Sequence, residues 1–413
     1  MSLALPCRRA AGRQFTGHFR TRLCPSGFPE CIVQGLRAIV CITLAWCYLV
    51  ALNSRSTAAD AINTSTNEFI PDLPNAWLRE FAVRGSVGYK DNLLLDSNAR
   101  EHSISFGSGA DVTIARLPFD GRQFNFLVSF DDTRYPDGRE VDHEDLLIGL
   151  AQVKTDVSAH WRLGLDERYI LQNQVLDTSV TETNLEALLV RGHSLALLPN
   201  VRWMSDGNTW VELSGTAQRA LYREPLDDLW EGGPKLVWGL DYGHYSTVNV
   251  TYSWNLRAYD TREQLGLDQV GLPGTSLRFQ QHDVEASLRH NWDKERRWRT
   301  ATRLGVQISR DNGPGFYDYD RWYAAQQIRY VAKTWELRVQ GKVSFYAFPH
   351  QMATDSDPNE RQKTLVGVDL RGEKKIWQGL KLFVSYEYEQ SLANRPTDEY
   401  RVNIEAAGLS WEF

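Results

Sequence analysis

The most informative absence in this 413-residue sequence is that of cysteine beyond position 47. The five cysteines present are Cys7, Cys24, Cys31, Cys41 and Cys47. A long chain without thiols is typical of proteins exported through an oxidising compartment. Zinc sites built on cysteine are therefore excluded from the rest of the chain.

Long hydrophobic runs are also lacking, with one exception at Ala38–Leu52. This run is shorter than the roughly 20 apolar residues that a spanning helix needs. Arg37 precedes it, and small residues follow it up to Ala61. We interpret residues 1–61 as a basic lead and a secretory signal peptide, cleaved after Ala59 or Ala61, with an uncleaved anchor helix as the alternative. The length of the lead leaves the true start codon open.

An excess of positive charge is absent, because residues 62–413 contain 50 acidic and 39 basic residues. This balance argues against a nucleic-acid partner, which would favour a basic surface. The histidines are scattered singly, and none lies in a motif that fixes a serine nucleophile or a metal beside it. We therefore predict a protein that is not an enzyme and has no catalytic site, metal or cofactor. The histidines beyond residue 61 are His102, His143, His160, His193, His244, His282, His290 and His350.

Aromatic residues are plentiful, with 14 Trp, 17 Tyr and 16 Phe, and apolar residues alternate with polar ones at period two. Leu236, Trp238, Leu240 and Tyr242 are a clear example. Many such segments exceed ten residues, the length of a tilted membrane-spanning strand, whereas strands of soluble sandwiches are shorter. A propeller would show a repeat near 40–50 residues, and none is found. The pattern predicts an all-β chain.

Connection lengths predict the number of strands. A first count gives seventeen, but short and long connections must alternate around a barrel whose termini share one side. The alternation holds if Leu185–Met204 is one strand, with Pro199 at a bulge or outside the lipid belt. Pro349–Arg361 then becomes an external loop. We predict a short periplasmic lead at 62–76 and a single transmembrane, antiparallel, up-and-down β-barrel over 77–413, with sixteen strands and 14 or 18 as alternatives.

The last strand ends on an apolar face formed by Leu409, Trp411 and Phe413. Its free edge needs the first strand of the same chain, so we predict that it pairs with the segment Phe81–Tyr89 and closes the barrel. Upstream of Ala407 the apolar residues change to the other face. One inserted residue near Gly408 would reconcile the two faces, which predicts a β-bulge there.

These features resemble bacterial outer-membrane β-barrel proteins of the porin type. The segment Val87–Asn92, with the letters VGYKDN, is similar to the first strand of putative β-barrel porins, some of which are linked to exopolysaccharide export. The resemblance implies a place in the bacterial outer membrane, among lipid and lipopolysaccharide. It also implies insertion by the barrel-assembly machinery and passage of a polysaccharide or a small anionic solute.

Basic residues recur on the polar face of the second half of the chain. Four arginines fall on consecutive predicted strands at similar distances from the short turns, which predicts a cationic belt low in the pore. The alternative is that they only form ion pairs with acids such as Glu285, Glu336, Asp369 and Glu387. The predicted pore-lining residues are Arg289, Arg303, Arg329, Arg338, Lys342 and Arg371.

Two functions follow from this reading. The first is an outer-membrane channel that allows passage of solutes or export of a glycan, with a preference for anions as one expectation. The second is a non-conducting barrel with a structural, adhesion or assembly role. Because no external connection exceeds about sixteen residues in this count, we expect no long constriction loop inside the barrel, although Asp260–Thr275 is a candidate to bend inward.

Overall fold

The computed structural model describes residues 77–97, 100–118, 120–180, 187–354 and 357–413. The predicted signal peptide in residues 1–61 and the lead at 62–76 lie outside the described residues. No helix among the residues described is both long and apolar enough to cross a bilayer.

Sixteen antiparallel strands of the described chain form one closed ring, which confirms the predicted all-β, up-and-down barrel. Two further strands, β10 and β11, pair with each other inside one connection, and a short 3₁₀ turn covers Pro396–Asp398. In chain order the strands are β1 (Trp77–Lys90), β2 (Ser103–Arg116), β3 (Arg122–Arg134), β4 (His143–Asp156), β5 (Trp161–Asp177), β6 (Ala187–Met204), β7 (Thr209–Tyr222), β8 (Leu229–Tyr242), β9 (Ser246–Tyr259), β10 (Gln264–Leu265), β11 (Gly271–Leu272), β12 (Arg278–Asn291), β13 (Trp298–Asp311), β14 (Tyr319–Val331), β15 (Trp335–Thr354), β16 (Asp357–Lys375), β17 (Leu380–Ala393) and β18 (Tyr400–Glu412).

Short and long connections alternate around most of the ring, as predicted, with the short connection between β15 and β16 as an exception. One end, here called the turn end, carries tight connections such as 243–245 and 332–334. The other end, the loop end, carries longer ones such as 91–102 and 260–277. β1 starts and β18 finishes at the turn end, which is the periplasmic side in barrels of this kind.

The prediction that Leu185–Met204 is one strand is confirmed by β6 (Ala187–Met204). Of the two alternatives predicted for Pro199, the bulge is wrong. On the β7 side the pairs Leu197↔Ala217 and Asn200↔Ser214 have the same offset, so no residue is inserted between them. The ladder is only interrupted there. Proline has no N–H to donate, which accounts for the gap without a change of register.

The predicted external loop Pro349–Arg361 is also wrong in extent. β15 continues to Thr354 and β16 begins at Asp357, so most of the segment is a strand hairpin beyond the ring. Its ladder shifts register between Phe348 and Met352 and again before Thr354. Proline and acidic residues indicated a loop, but cross-strand pairing overrides that local preference.

The barrel closes between its first and last strands, as predicted. Val83 pairs with Trp411 and Gly85 with Leu409. The Phe81 and Phe413 backbones exchange two hydrogen bonds of 3.3 and 3.0 Å, and their rings stack at a centroid distance of 6.4 Å.

The predicted bulge near Gly408 is wrong, because β18 keeps one register against both β1 and β17. The apolar residues change face for another reason. Val402 is 3% exposed and points into the filled loop end of the lumen. On the outer face, Asn403 instead accepts a 2.8 Å hydrogen bond from the Tyr386 hydroxyl.

The outer face of the ring is apolar and has an aromatic belt at the turn end. Leu304 is 55% exposed and Leu213 52%, which is unfavourable in water but favourable in lipid. Tryptophans stand on this outer face at the turn-end termini of their strands, where they suit the membrane–water interface. They are Trp77, Trp161, Trp203, Trp298, Trp335 and Trp411.

Candidate functional site

The strand alternation puts the six basic residues singled out from the sequence on the lumenal side of the wall. In β13, for example, Arg303 alternates with the exposed outer residues Leu304 and Thr302. The same alternation, followed through the continuous registers of β12 to β16, applies to Arg289, Arg303, Arg329, Arg338, Lys342 and Arg371.

Four lumenal arginines form one row across adjacent strands. Arg299 pairs with Arg329, Arg329 with Arg338, and Arg338 with Arg371. Arg299 was missed from the sequence because it directly follows the strand's first residue, next to a turn. Like charges placed directly opposite one another repel, so this row is maintained at a cost to stability.

Arg303 and Lys342 lie in a second row, on either side of Ala325. Arg289 lies between the two rows, since it pairs with Ala301. Because strands tilt in a closed barrel, such rows climb around the wall and do not form a level ring. The basic residues therefore form a staggered patch on the wall made by β12 to β16.

Half of the six predicted residues are ion-paired. Arg329 contacts Glu336 at 2.7 Å, Arg371 contacts Glu373 at 2.7 Å, and Lys342 contacts Glu389 at 3.0 Å. Within the described chain, the other three have no hydrogen-bond or ion-pair partner. They are Arg289, Arg303 and Arg338.

A cavity of about 620 Å³ opens beside Arg289 and Arg303 near the turn end. Its wall also includes Trp210, Asn249 and Ser287. This part of the lumen is polar and open. No cluster of three His, Cys, Asp or Glu side chains in the described chain is arranged to hold a metal ion.

The loop end of the lumen is different, because the β5–β6 hairpin leaves the wall there. The β4–β5 ladder stops at Asp145↔Asn173, and the β6–β7 ladder stops at Gly192↔Tyr222. Beyond these points the two hairpin strands pair only with each other, to Asp177↔Ala187.

The end of the hairpin crosses the lumen and contacts the far wall. Ser179 and Asp177 meet Lys363 of β16, which donates to both, at 2.5 Å to the Ser179 hydroxyl. Arg361 donates a 2.9 Å hydrogen bond to the Ser179 carbonyl, and the Tyr400 hydroxyl lies 3.1 Å from the Asp177 carboxylate. Six strands separate β5 from β16 on one side of the ring and eight on the other, so the hairpin spans almost the full width.

The far-wall partners are held in place by a buried network. Arg361 and Asp398 form a 2.6 Å ion pair, with side chains 2% and 0% exposed. Arg361 also donates to the Gln351 side chain, which in turn donates to the Phe316 carbonyl. Loss of one partner from such a buried ion pair is strongly destabilising. The pair therefore helps to hold the residues that contact the hairpin in place.

Aromatic side chains occupy much of the remaining space at the loop end. Tyr259, Phe279, Phe316 and Tyr317 form one buried cluster, and Leu265, from the connection proposed to bend inward, packs against it. A second cluster of Tyr319, Tyr346 and Phe348 receives Val180 from the hairpin. In the adjoining loop, burial raises the pKa of the Asp318 carboxyl.

The expectation of a lumen without a long inserted segment is therefore wrong. The sequence estimate counted only the residues between strands, whereas the inserted segment consists of the strands' own ends. One signal was available: Tyr169-Ile170-Leu171 and Leu188-Leu189-Val190 are apolar on both faces. A strand between lipid and water alternates, whereas a strand covered on both sides does not.

Comparisons with known proteins give structural similarity at low sequence identity. No family model matches the chain, and no curated protein matches its sequence. Among solved structures, Acinetobacter baumannii OccAB1 is 9% identical over 82% of this chain and 97% of that one, with a TM-score of 0.46. Pseudomonas aeruginosa OprD is 9% identical over 82% and 94%, with a TM-score of 0.42. A bacterial polysaccharide outer membrane secretin is 12% identical over 81% and 98%, with a TM-score of 0.40. At these identities the likeness concerns the fold alone.

The closed sixteen-strand ring, with its apolar outer face, tryptophan belt and polar turn-end lumen, defines the class. A ring without a free edge is the form in which β-strands cross a membrane. The protein folds as a membrane-spanning β-barrel, which is the fold predicted from the sequence and agrees with the predicted outer-membrane location.

Proposed function

We propose that the protein is an outer-membrane channel for polar solutes that favours anions. The observation that carries this proposal is the set of three lumenal guanidiniums, Arg289, Arg303 and Arg338, that lack an acidic partner in the described chain. A fixed positive patch on the wall of a passage raises the local concentration of anions and lowers that of cations.

Charge reversal of this patch tests the proposal. In planar bilayers under a salt gradient, we expect the wild-type reversal potential to indicate anion preference. The double variant Arg303→Glu/Arg338→Glu should shift the potential toward cation preference, because it changes the lumenal charge by four units without removing an ion pair.

The matched control is Arg139→Glu, an exposed arginine in the connection between β3 and β4, outside the patch. It should leave the reversal potential near the wild-type value. A conducting channel whose ion preference is the same in wild type and double variant would refute the anion preference.

One observation favours a second candidate, a non-conducting barrel with a structural, adhesion or assembly role. The docked β5–β6 hairpin and the two aromatic clusters restrict the loop end of the lumen. A refolded wild-type protein that inserts into bilayers without any current would support this candidate and refute the channel.

A further inference from the structure

A groove lies across the lumenal wall, between Trp210 and Arg303. The pairs Trp210↔Gly239, Gly239↔Asn249, Asn249↔Ser287 and Ser287↔Arg303 put five lumenal residues in one row on successive strands. Four strand spacings give roughly 19 Å between the ends of the row. The residues between the two ends have short side chains, and the row forms part of the wall of the 620 Å³ cavity, which Asp241 and Glu285 also line.

Trp210 is fixed at one end of this groove. Its indole lies over Gly239, where an added Cβ would overlap the Cε2 and Cζ2 atoms. The Arg202 guanidinium carbon stacks 3.9 Å from the ring centroid and is held by an ion pair of 2.7 Å to Glu212. The side chain is 7% exposed, yet its Nε1 has no hydrogen-bond partner in the described chain.

Within the described chain, Asn249 has an unpaired hydrogen-bond acceptor, which complements the unpaired donor of Trp210. Its Oδ1 is buried without a partner among the described residues, so the groove holds an unsatisfied acceptor as well as an unsatisfied donor. Buried polar atoms are normally paired, and leaving one unpaired costs free energy. Both atoms are shielded, but both residues line the cavity, so a small turn of either side chain would present them to a ligand that supplies an acceptor and a donor.

The other end of the groove supplies charge. Arg303 pairs with Ser287, and Arg289 lies two residues along the same strand as Ser287, so the two guanidiniums are diagonal neighbours. Such neighbours lie within reach of one group. Two unpaired guanidiniums provide the planar donors that carboxylates accept best.

We propose that this groove binds a hydroxylated carboxylate of the sugar-acid type. The carboxylate contacts Arg289 and Arg303, one hydroxyl accepts from Trp210 Nε1, and another donates to Asn249 Oδ1. This inference rests on the proposed function, since it names the solute class of the channel. Neutral sugars lack the charge, and simple anions such as acetate lack the hydroxyls.

Isothermal titration calorimetry of the detergent-folded barrel tests the site without requiring current. Glucuronate should bind at least about tenfold more tightly than acetate, inorganic phosphate or glucose. Trp210→Phe keeps a ring and removes the donor, so it should weaken glucuronate binding about fivefold. Arg303→Gln should weaken it about tenfold or more, because a charge-assisted hydrogen bond is lost.

The control is Lys235→Gln, a lumenal cation outside the groove, which should leave the affinity unchanged. Equal binding of phosphate and glucuronate, or an unchanged affinity in both groove variants, would overturn the proposal. Such a result would refute the sugar-acid site without refuting an anion-selective channel. A barrel that binds glucuronate but never conducts would refute the channel and leave the binding site standing. Tighter binding of a uronate trimer would identify an acidic glycan as the source of the carboxylate, and equal binding a free sugar acid; both support the ligand class.

Discussion

At the scale of single residues, two prolines interrupt the wall at neighbouring positions. Gly215 pairs with Pro234 on one side, and on the other an added Gly215 Cβ would lie 3.9 Å from Pro199 Cγ. The β8–β9 ladder skips Gly233 and Pro234 and resumes in the same register. The prolines remove donors, and the backbones stay close because a glycine stands beside them.

Gly233→Ala should destabilise the barrel, because its Cβ would overlap the Trp254 carbonyl oxygen, a backbone atom that cannot rotate away. Overpacking of this kind costs about 1–3 kcal/mol. The measurement is the free energy of unfolding in urea for protein folded in lipid vesicles. Gly341→Ala is the matched control, since nothing lies within 4 Å of the added Cβ, and it should be neutral. Equal stability of the two variants would contradict this account.

At the scale of elements, the β5–β6 hairpin decides how open the barrel is. Its apolar face packs on the loop-end connections, with Val175 and Leu189 against Leu93 and Tyr135. Its far end is held by polar contacts, mainly those of Lys363. The apolar contacts hold the hairpin against the loop-end connections, and the polar contacts fix its far end to the opposite wall.

The double variant Asp177→Ala/Lys363→Ala should raise single-channel conductance. It removes the hairpin's ion pair to the far wall without leaving an uncompensated buried charge. Planar-bilayer recording checks this, with Lys381→Ala/Glu412→Ala, an ion pair at the turn end, as the control. An unchanged conductance in the first variant would show that the hairpin does not limit flow.

At the scale of the whole molecule, the features predicted correctly are those that follow from the alternation of apolar and polar residues and from the need for an even number of strands. The lipid face, the sixteen strands and the pairing of Phe413 with the first strand follow from period two and from the need to leave no free edge. The contacts of Asp177 with Lys363 and Tyr400 could not be predicted, because they join residues far apart in the chain and depend on the side chains that fill a curved lumen. The unpaired state of Arg303 is likewise a property of the assembled wall, whereas Arg329 and Glu336 are close enough in the chain to be foreseen as partners.

Closure of the ring depends on the terminal residue in two separable ways. Phe413→Ala keeps both backbone hydrogen bonds to Phe81 and removes only the ring contacts with Phe81 and Trp411. We expect a loss of about 1 kcal/mol in the free energy of unfolding, as for an aromatic pair. Deleting Phe413 also removes the two hydrogen bonds and should cost roughly 1 kcal/mol more for each. Urea titration in lipid vesicles, followed by tryptophan fluorescence, measures both variants. If the deletion cost no more than the alanine variant, the backbone pairing at Phe81 would contribute nothing to closure, and the ring of strands would be held shut by the remaining β1–β18 pairs alone.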